Sequence, residues 1–131
     1  MAELKVATEV AQQDFDRMCV ARRVDLDESQ WDEDDKKTFA KLKAEIVKAI
    51  STGALTVDAD GAPTLLAPSG ESFKFRKPNG ATLINMDGKT GTARVFAALA
   101  DMSGRNTGEF SKLEMPELNL CARLYALFIQ R

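Results

Sequence analysis

The sequence has no histidine, only two cysteines, one tryptophan and one tyrosine, and no apolar run long enough to cross a bilayer. Without imidazole, every mechanism that moves a proton through histidine is excluded, Ser-His-Asp and Cys-His arrangements among them. Cys19 and Cys121 stand far apart in no metal-ligand spacing, so the expectation is two reduced, buried thiols and no zinc site. The opening residues Met1-Ala2-Glu3-Leu4-Lys5 lack the basic-then-apolar pattern of a cleaved signal. A positive excess is missing too: 18 Lys+Arg face 20 Asp+Glu, for a net charge of −2, which argues against nucleic acid as the main partner. These absences leave a small acidic domain expected in the cytoplasm, with no cofactor, no metal and no membrane partner.

What is present is a chain of 131 residues with 44% apolar content, enough for one hydrophobic core and one domain over 1–131. The stretch from Ala7 to Arg23 has no glycine or proline, and Val10, Phe15, Met18 and Cys19 recur at helical spacing. An acidic block from Asp25 to Asp35 precedes a lysine-rich segment in which Phe39, Leu42, Ile46 and Ile50 share a face and Gly53 takes the place of a C-terminal cap. Trp31 is expected to extend that second helix by two turns at its start. Acids first and lysines after is the polarity a helix start selects, so the block reads as a cap and not as a calcium or magnesium site.

After Gly53 the pattern changes. Leu55-Thr56-Val57 and Thr64-Leu65-Leu66 flank the turn pair Asp60-Gly61, and Ser69-Gly70 leads into Ser72-Phe73-Lys74-Phe75-Arg76 before Pro78 ends the run. From Thr82 onward the chain is helical again, with glycines at 88, 91 and 104 as interruptions and Pro116 opening a last helix. The expected fold is α+β and predominantly helical: N-terminal helices over 1–53, a three-stranded antiparallel meander over 54–77, and C-terminal helices over 79–131.

The motifs that suggest chemistry each have a plainer explanation. Gly88-Lys89-Thr90 lacks the first glycine of a phosphate-binding loop, since Leu83 stands there, and the glycines read as a helix break. Asp58-Ala59-Asp60-Gly61 resembles part of a calcium loop, but the closing acid falls on Ala67, so a hairpin turn accounts for it. Lys74, Arg76 and Lys77 beside Phe73 and Phe75 fit an edge strand with aromatics inward and cations outward better than a single-strand nucleic-acid surface. None of the 20 acids lies in an apolar or aromatic segment that would raise its pKa for acid–base work, which leaves an enzyme using paired acids and a divalent metal the least favoured reading. The segment from Leu118 to Ile129 is more informative, because only Asn119 and Arg123 interrupt it. Such a helix is either the centre of the core or is partly exposed to a partner.

The second half of the chain resembles a known family. Phe73-Lys74-Phe75-Arg76-Lys77-Pro78 is followed by Leu83 and Met86-Asp87, then by a helix closing in Leu99-Ala100-Asp101-Met102-Ser103-Gly104. Phe110, Lys112-Leu113-Glu114 and Glu117-Leu118 come next, before a helix that reaches Phe128. This order is similar to that of the phage tail assembly chaperones, particularly the type found in Mu-like and P2-like contractile tails, over about residues 72–129. The resemblance implies a non-catalytic protein of the host cell cytoplasm that coats and solubilises the tape measure protein while tail tube protein polymerises around it, with self-association. It points to Leu120, Leu124, Leu127 and Phe128 on the last helix, with Val95 and Leu99, as partner-binding residues. The alternative is a phage or mobile-element structural or regulatory adaptor that binds another protein through its sheet edge.

Overall fold

A capping box starts the longest helix. In the computed structural model, which describes residues 7–129, α1 spans Thr8–Ala21 and α2 spans Glu33–Thr52. The Asp32 carboxylate accepts from the Asp35 N–H at 2.8 Å, and the Asp35 carboxylate accepts in return from the Asp32 N–H. Glu33, Asp34 and Asp35 place negative charge against the positive end of the helix. This cap corrects the expected extension from Trp31: the helix begins after Asp32, and residues 28–30 form a separate 3₁₀ turn capped by Asp27. Trp31 packs edge-on to Phe39 instead. Gly53, at φ 84°, closes α2 in the left-handed conformation that glycine adopts without steric penalty.

The sheet is a three-stranded antiparallel meander of β1 (Leu55–Val57), β2 (Pro63–Leu66) and β3 (Ser72–Lys74) in the order β1-β2-β3. Its register pairs Leu55 with Leu65 and Leu65 with Phe73, so one row of apolar side chains crosses all three strands and is fully buried. The next row, Thr56, Thr64 and Lys74, faces outward, as period-2 alternation requires.

The second half contains α3 (Gly80–Met86), α4 (Gly91–Ser103), the single turn α5 (Thr107–Phe110) and α6 (Met115–Phe128). The fold is thus α+β and predominantly helical, with the strands between two helical parts. One core joins both parts: Phe15, Met18 and Cys19 of α1, Ile46 and Ile50 of α2, the inner face of the sheet, Leu99 and Met102 of α4, and Leu124 of α6. Phe110 gathers an aromatic group around itself, its ring 5.1 Å from Phe73, 6.3 Å from Phe75 and 6.2 Å from Phe96. Such ring pairs add about 0.5–1.5 kcal/mol each beyond the area they bury.

Candidate functional site

Most of the residues expected to meet a partner lie inside the core. Leu99, Leu124 and Leu127 have at most 1% of their surface exposed, and Leu120 is buried with them. Val95 is half-buried between the main core and a smaller cluster of Met86, Ala98 and Tyr125. As surface contacts, Leu99, Leu120, Leu124 and Leu127 are therefore corrected: α6 packs on α2 and α4, and the core alternative for the last helix describes its buried face. Of the two polar interruptions of α6, Asn119 is exposed and Arg123, partly exposed, donates Nε to Glu45 Oε2 of α2. Phe128 is different. It is only partly buried and lines an open groove of about 210 Å³ with Ile129, Pro78, Leu83 and Met86.

α3 exposes two apolar residues, Leu83, which lines this groove, at 62% of its surface, and Ile84, outside the groove's lining, at 76%. A seven-residue helix makes too few hydrogen bonds to hold itself, so its position comes from anchors. Asn79 caps it by accepting from the N–H groups of Ala81 and Thr82, and Thr82 Oγ1 accepts from the Asn79 N–H. The main anchor is Asp101 of α4, whose carboxylate accepts from Thr82 Oγ1 at 2.5 Å, Asn85 Nδ2 at 2.9 Å and Arg76 Nη2 at 2.5 Å. One acid thus ties α4 to α3 and to the end of β3, and this holds Leu83 and Ile84 where they are.

Burial pushes the Asp101 pKa upward, but the hydrogen bonds from Thr82 and Arg76, the Arg76 charge and the Asn85 amide outweigh it and hold the pKa below the ordinary carboxylate value. A folded-state pKa below the unfolded one means that the clamp's contribution is complete above the unfolded value, about pH 4, and is lost as pH falls through the folded value. Asp101→Asn is expected to cost about 1–3 kcal/mol at pH 7. Urea unfolding from pH 7 to pH 3 checks this; the gap between the two proteins should narrow as the wild type loses its charge, and a gap independent of pH would contradict the clamp.

Both edges of the sheet carry side-chain donors. On β1, Arg17 of α1 donates Nη2 to the Val57 carbonyl at 2.8 Å and Nε to the Asp58 carbonyl at 3.0 Å. On β3, Arg105 Nη2 donates to the Ser72 carbonyl at 2.5 Å, and just beyond the strand the Arg76 backbone N–H donates to the Met102 carbonyl at 2.8 Å. An added strand would have to displace these groups, which weighs against the edge as a docking site.

The other motifs resolve into local structure. The Asp58 carboxylate accepts from the N–H groups of Asp60 and Ala62, both at 2.9 Å, and pairs with Lys74 at 3.1 Å. The Ala62 hydrogen bond and Lys74 hold its pKa below the usual carboxylate range. Lys89 lies in the turn after α3, and Thr90 is the N-cap of α4. Phe73 and Phe75 point into the core while Lys74 and Arg76 are exposed. Cys19 and Cys121 are both buried, and burial, reinforced by the charge of Glu117, pushes the Cys121 pKa up to about 12, so that it stays protonated at neutral pH. Among the described residues, no three His, Cys, Asp or Glu side chains converge as a metal site, and no helix is long and apolar enough to cross a membrane.

Leu83 and Ile84 were not singled out as site residues by sequence reasoning. Their signal is weak but real, because a short helix carrying Leu83, Ile84 and Met86 cannot turn all three toward one core. Set against protein-family models, curated proteins and solved structures, the chain matches none.

Proposed function

We propose that this chain is a phage tail assembly chaperone: a non-catalytic protein of the host cell cytoplasm that binds and solubilises the tape measure protein while the tail tube assembles. The observation that carries the reading is the groove between α3 and the end of α6, where Leu83 stands exposed beside Phe128 and Ile129, with Ile84 exposed on the same short helix. The segment of resemblance, residues 72–129, includes both elements that build it. A tape measure protein is a long, largely helical rod, and an apolar helix face needs an apolar groove of this kind to cover it. Self-association and contact with the tail tube protein belong to the same proposal.

Co-expression with a candidate tape measure protein tests it. The wild type should keep that partner soluble and be retained with it in a pull-down. The double variant Leu83→Asp/Ile84→Asp should fold normally, because both side chains are exposed, yet lose retention by about tenfold or more. A partner that stays insoluble with the wild type, or binds the double variant equally well, would refute the assignment of function or of groove respectively.

A further inference from the structure

Helix α3 is held to the rest of the chain by little. It buries only Thr82 and Met86, where α2 buries Leu42, Ile46 and Ile50, and α6 buries Leu120, Leu124 and Leu127. Met86 sits with Ala98 of α4 and Tyr125 of α6 in a small cluster apart from the main core, and no described residue of 76–94 belongs to that core. Among the described residues, three hydrogen bonds tie α3 to other elements. Asp101 accepts from Thr82 and Asn85, and Arg94 Nη1 donates to the Met86 carbonyl at 3.1 Å. All three come from α4, the element on which α3 packs.

The connections at its ends leave it free to move. Asn79 enters α3 from extended backbone, and the chain leaves through Gly88 and Gly91, at φ 74° and 57°, each with open space where a Cβ would stand. Glycine passes between left- and right-handed conformations without steric penalty, so rotation at these two positions can carry α3 away from α4. The loss is one apolar contact cluster and three hydrogen bonds, with the main core intact, which puts α3 at the low-stability end of the fold. α3 also walls the groove it shares with α6. At about 210 Å³ that groove seats a side chain or two, whereas one turn of helix, about 5.4 Å long and about 10 Å across, fills roughly 400 Å³.

We propose that α3 is a strap that leaves α4 as a unit while the rest of the chain stays folded, uncovering Ala98 and Tyr125 and widening the groove enough to take a helix. The use of that widening rests on the chaperone reading; the opening does not. Hydrogen exchange on the full chain, read by NMR at low urea concentrations, tests the opening with no partner present, so its failure is distinct from failure of the co-expression experiment. A detached seven-residue helix melts, so the amides of Leu83, Ile84, Asn85 and Met86 should exchange together. They should be at least tenfold less protected than those of α2 and α6, and should depend little on urea because little surface is uncovered. Ile46→Val should speed exchange in α2 and α6 several-fold and leave α3 unchanged, while Asp101→Asn should speed α3 by about tenfold or more. The uncovered face is read by Ala98→Cys, whose thiol should react with an aromatic disulfide reagent at least tenfold faster than Cys19 and Cys121 of the main core. Protection of α3 that equals that of α2 and follows it in Ile46→Val overturns the strap, as does an Ala98→Cys thiol no more reactive than the two core cysteines.

Discussion

Leu124→Asp is expected to unfold the protein, not merely to disable a surface. Leu124 has 0% exposure and packs in the core shared by α2, α4 and α6. Removing a buried leucine side chain costs about 2–5 kcal/mol, and an unpaired carboxylate in its place adds a penalty of several more. Together these match or exceed the roughly 5–15 kcal/mol that holds a small domain folded. Circular dichroism and urea unfolding decide it, with Leu124→Ala as the milder case at about 2–5 kcal/mol. A Leu124→Asp protein with native spectra and a normal unfolding midpoint would mean that this side chain faces solvent. The contrast with Leu83→Asp, expected to change stability by about 0.5 kcal/mol or less, separates a core position from a docking position on a helix pair that looks equally apolar in sequence.

Gly61→Ala is expected to cost about 2–4 kcal/mol, although the residue lies in a turn that looks permissive. Two causes act at once. Gly61 has φ 81°, where an added Cβ is strained by about 1 kcal/mol or more. That Cβ would also overlap the Ala21 Cβ and lie 3.1 Å from the Arg17 carbonyl oxygen, so α1 and the β1–β2 turn would have to separate. The separation would strain the two hydrogen bonds by which Arg17 holds Val57 and Asp58. A double-mutant cycle with Ala21→Gly distinguishes the causes. Ala21→Gly should relieve the overlap but not the backbone strain, so the pair should couple favourably by about 1 kcal/mol or more. Additive effects would show that α1 does not press on the turn.

Where neighbours in sequence decide the outcome, the fold was legible from the residues. The acids before α2 cap it through Asp32 and Asp35, Gly53 and Gly104 end their helices in the left-handed region, and alternation in Leu55–Val57 and Ser72–Lys74 sets the buried face of the sheet. Trp31 lies outside α2 because the capping box that begins at the next residue, Asp32, starts the helix there through hydrogen bonds that hydropathy does not register. Phe110 gave no local sign of its importance. It lies in a four-residue helix within a polar connector, and its three ring partners come from β3, the residue after it, and α4.

The candidate site divides in the same way. Composition and pattern alone determined an α+β chain without imidazole chemistry, rich in apolar residues at its last helix, because charge, spacing and turn chemistry act over a few residues. Which side of that helix would be covered was a matter of tertiary packing. Contact of α2 and α4 with α6 removed Leu99, Leu120, Leu124 and Leu127 from the surface and left Phe128 at the rim, while Asp101 held α3, and with it Leu83, beside it. Arg22 at the end of α1 reaches the Phe75 carbonyl, distant in sequence, only in the folded chain. Burial is a property of the assembled chain: an apolar residue in sequence can either fill a core or form a binding face, and only the elements packed around it decide which.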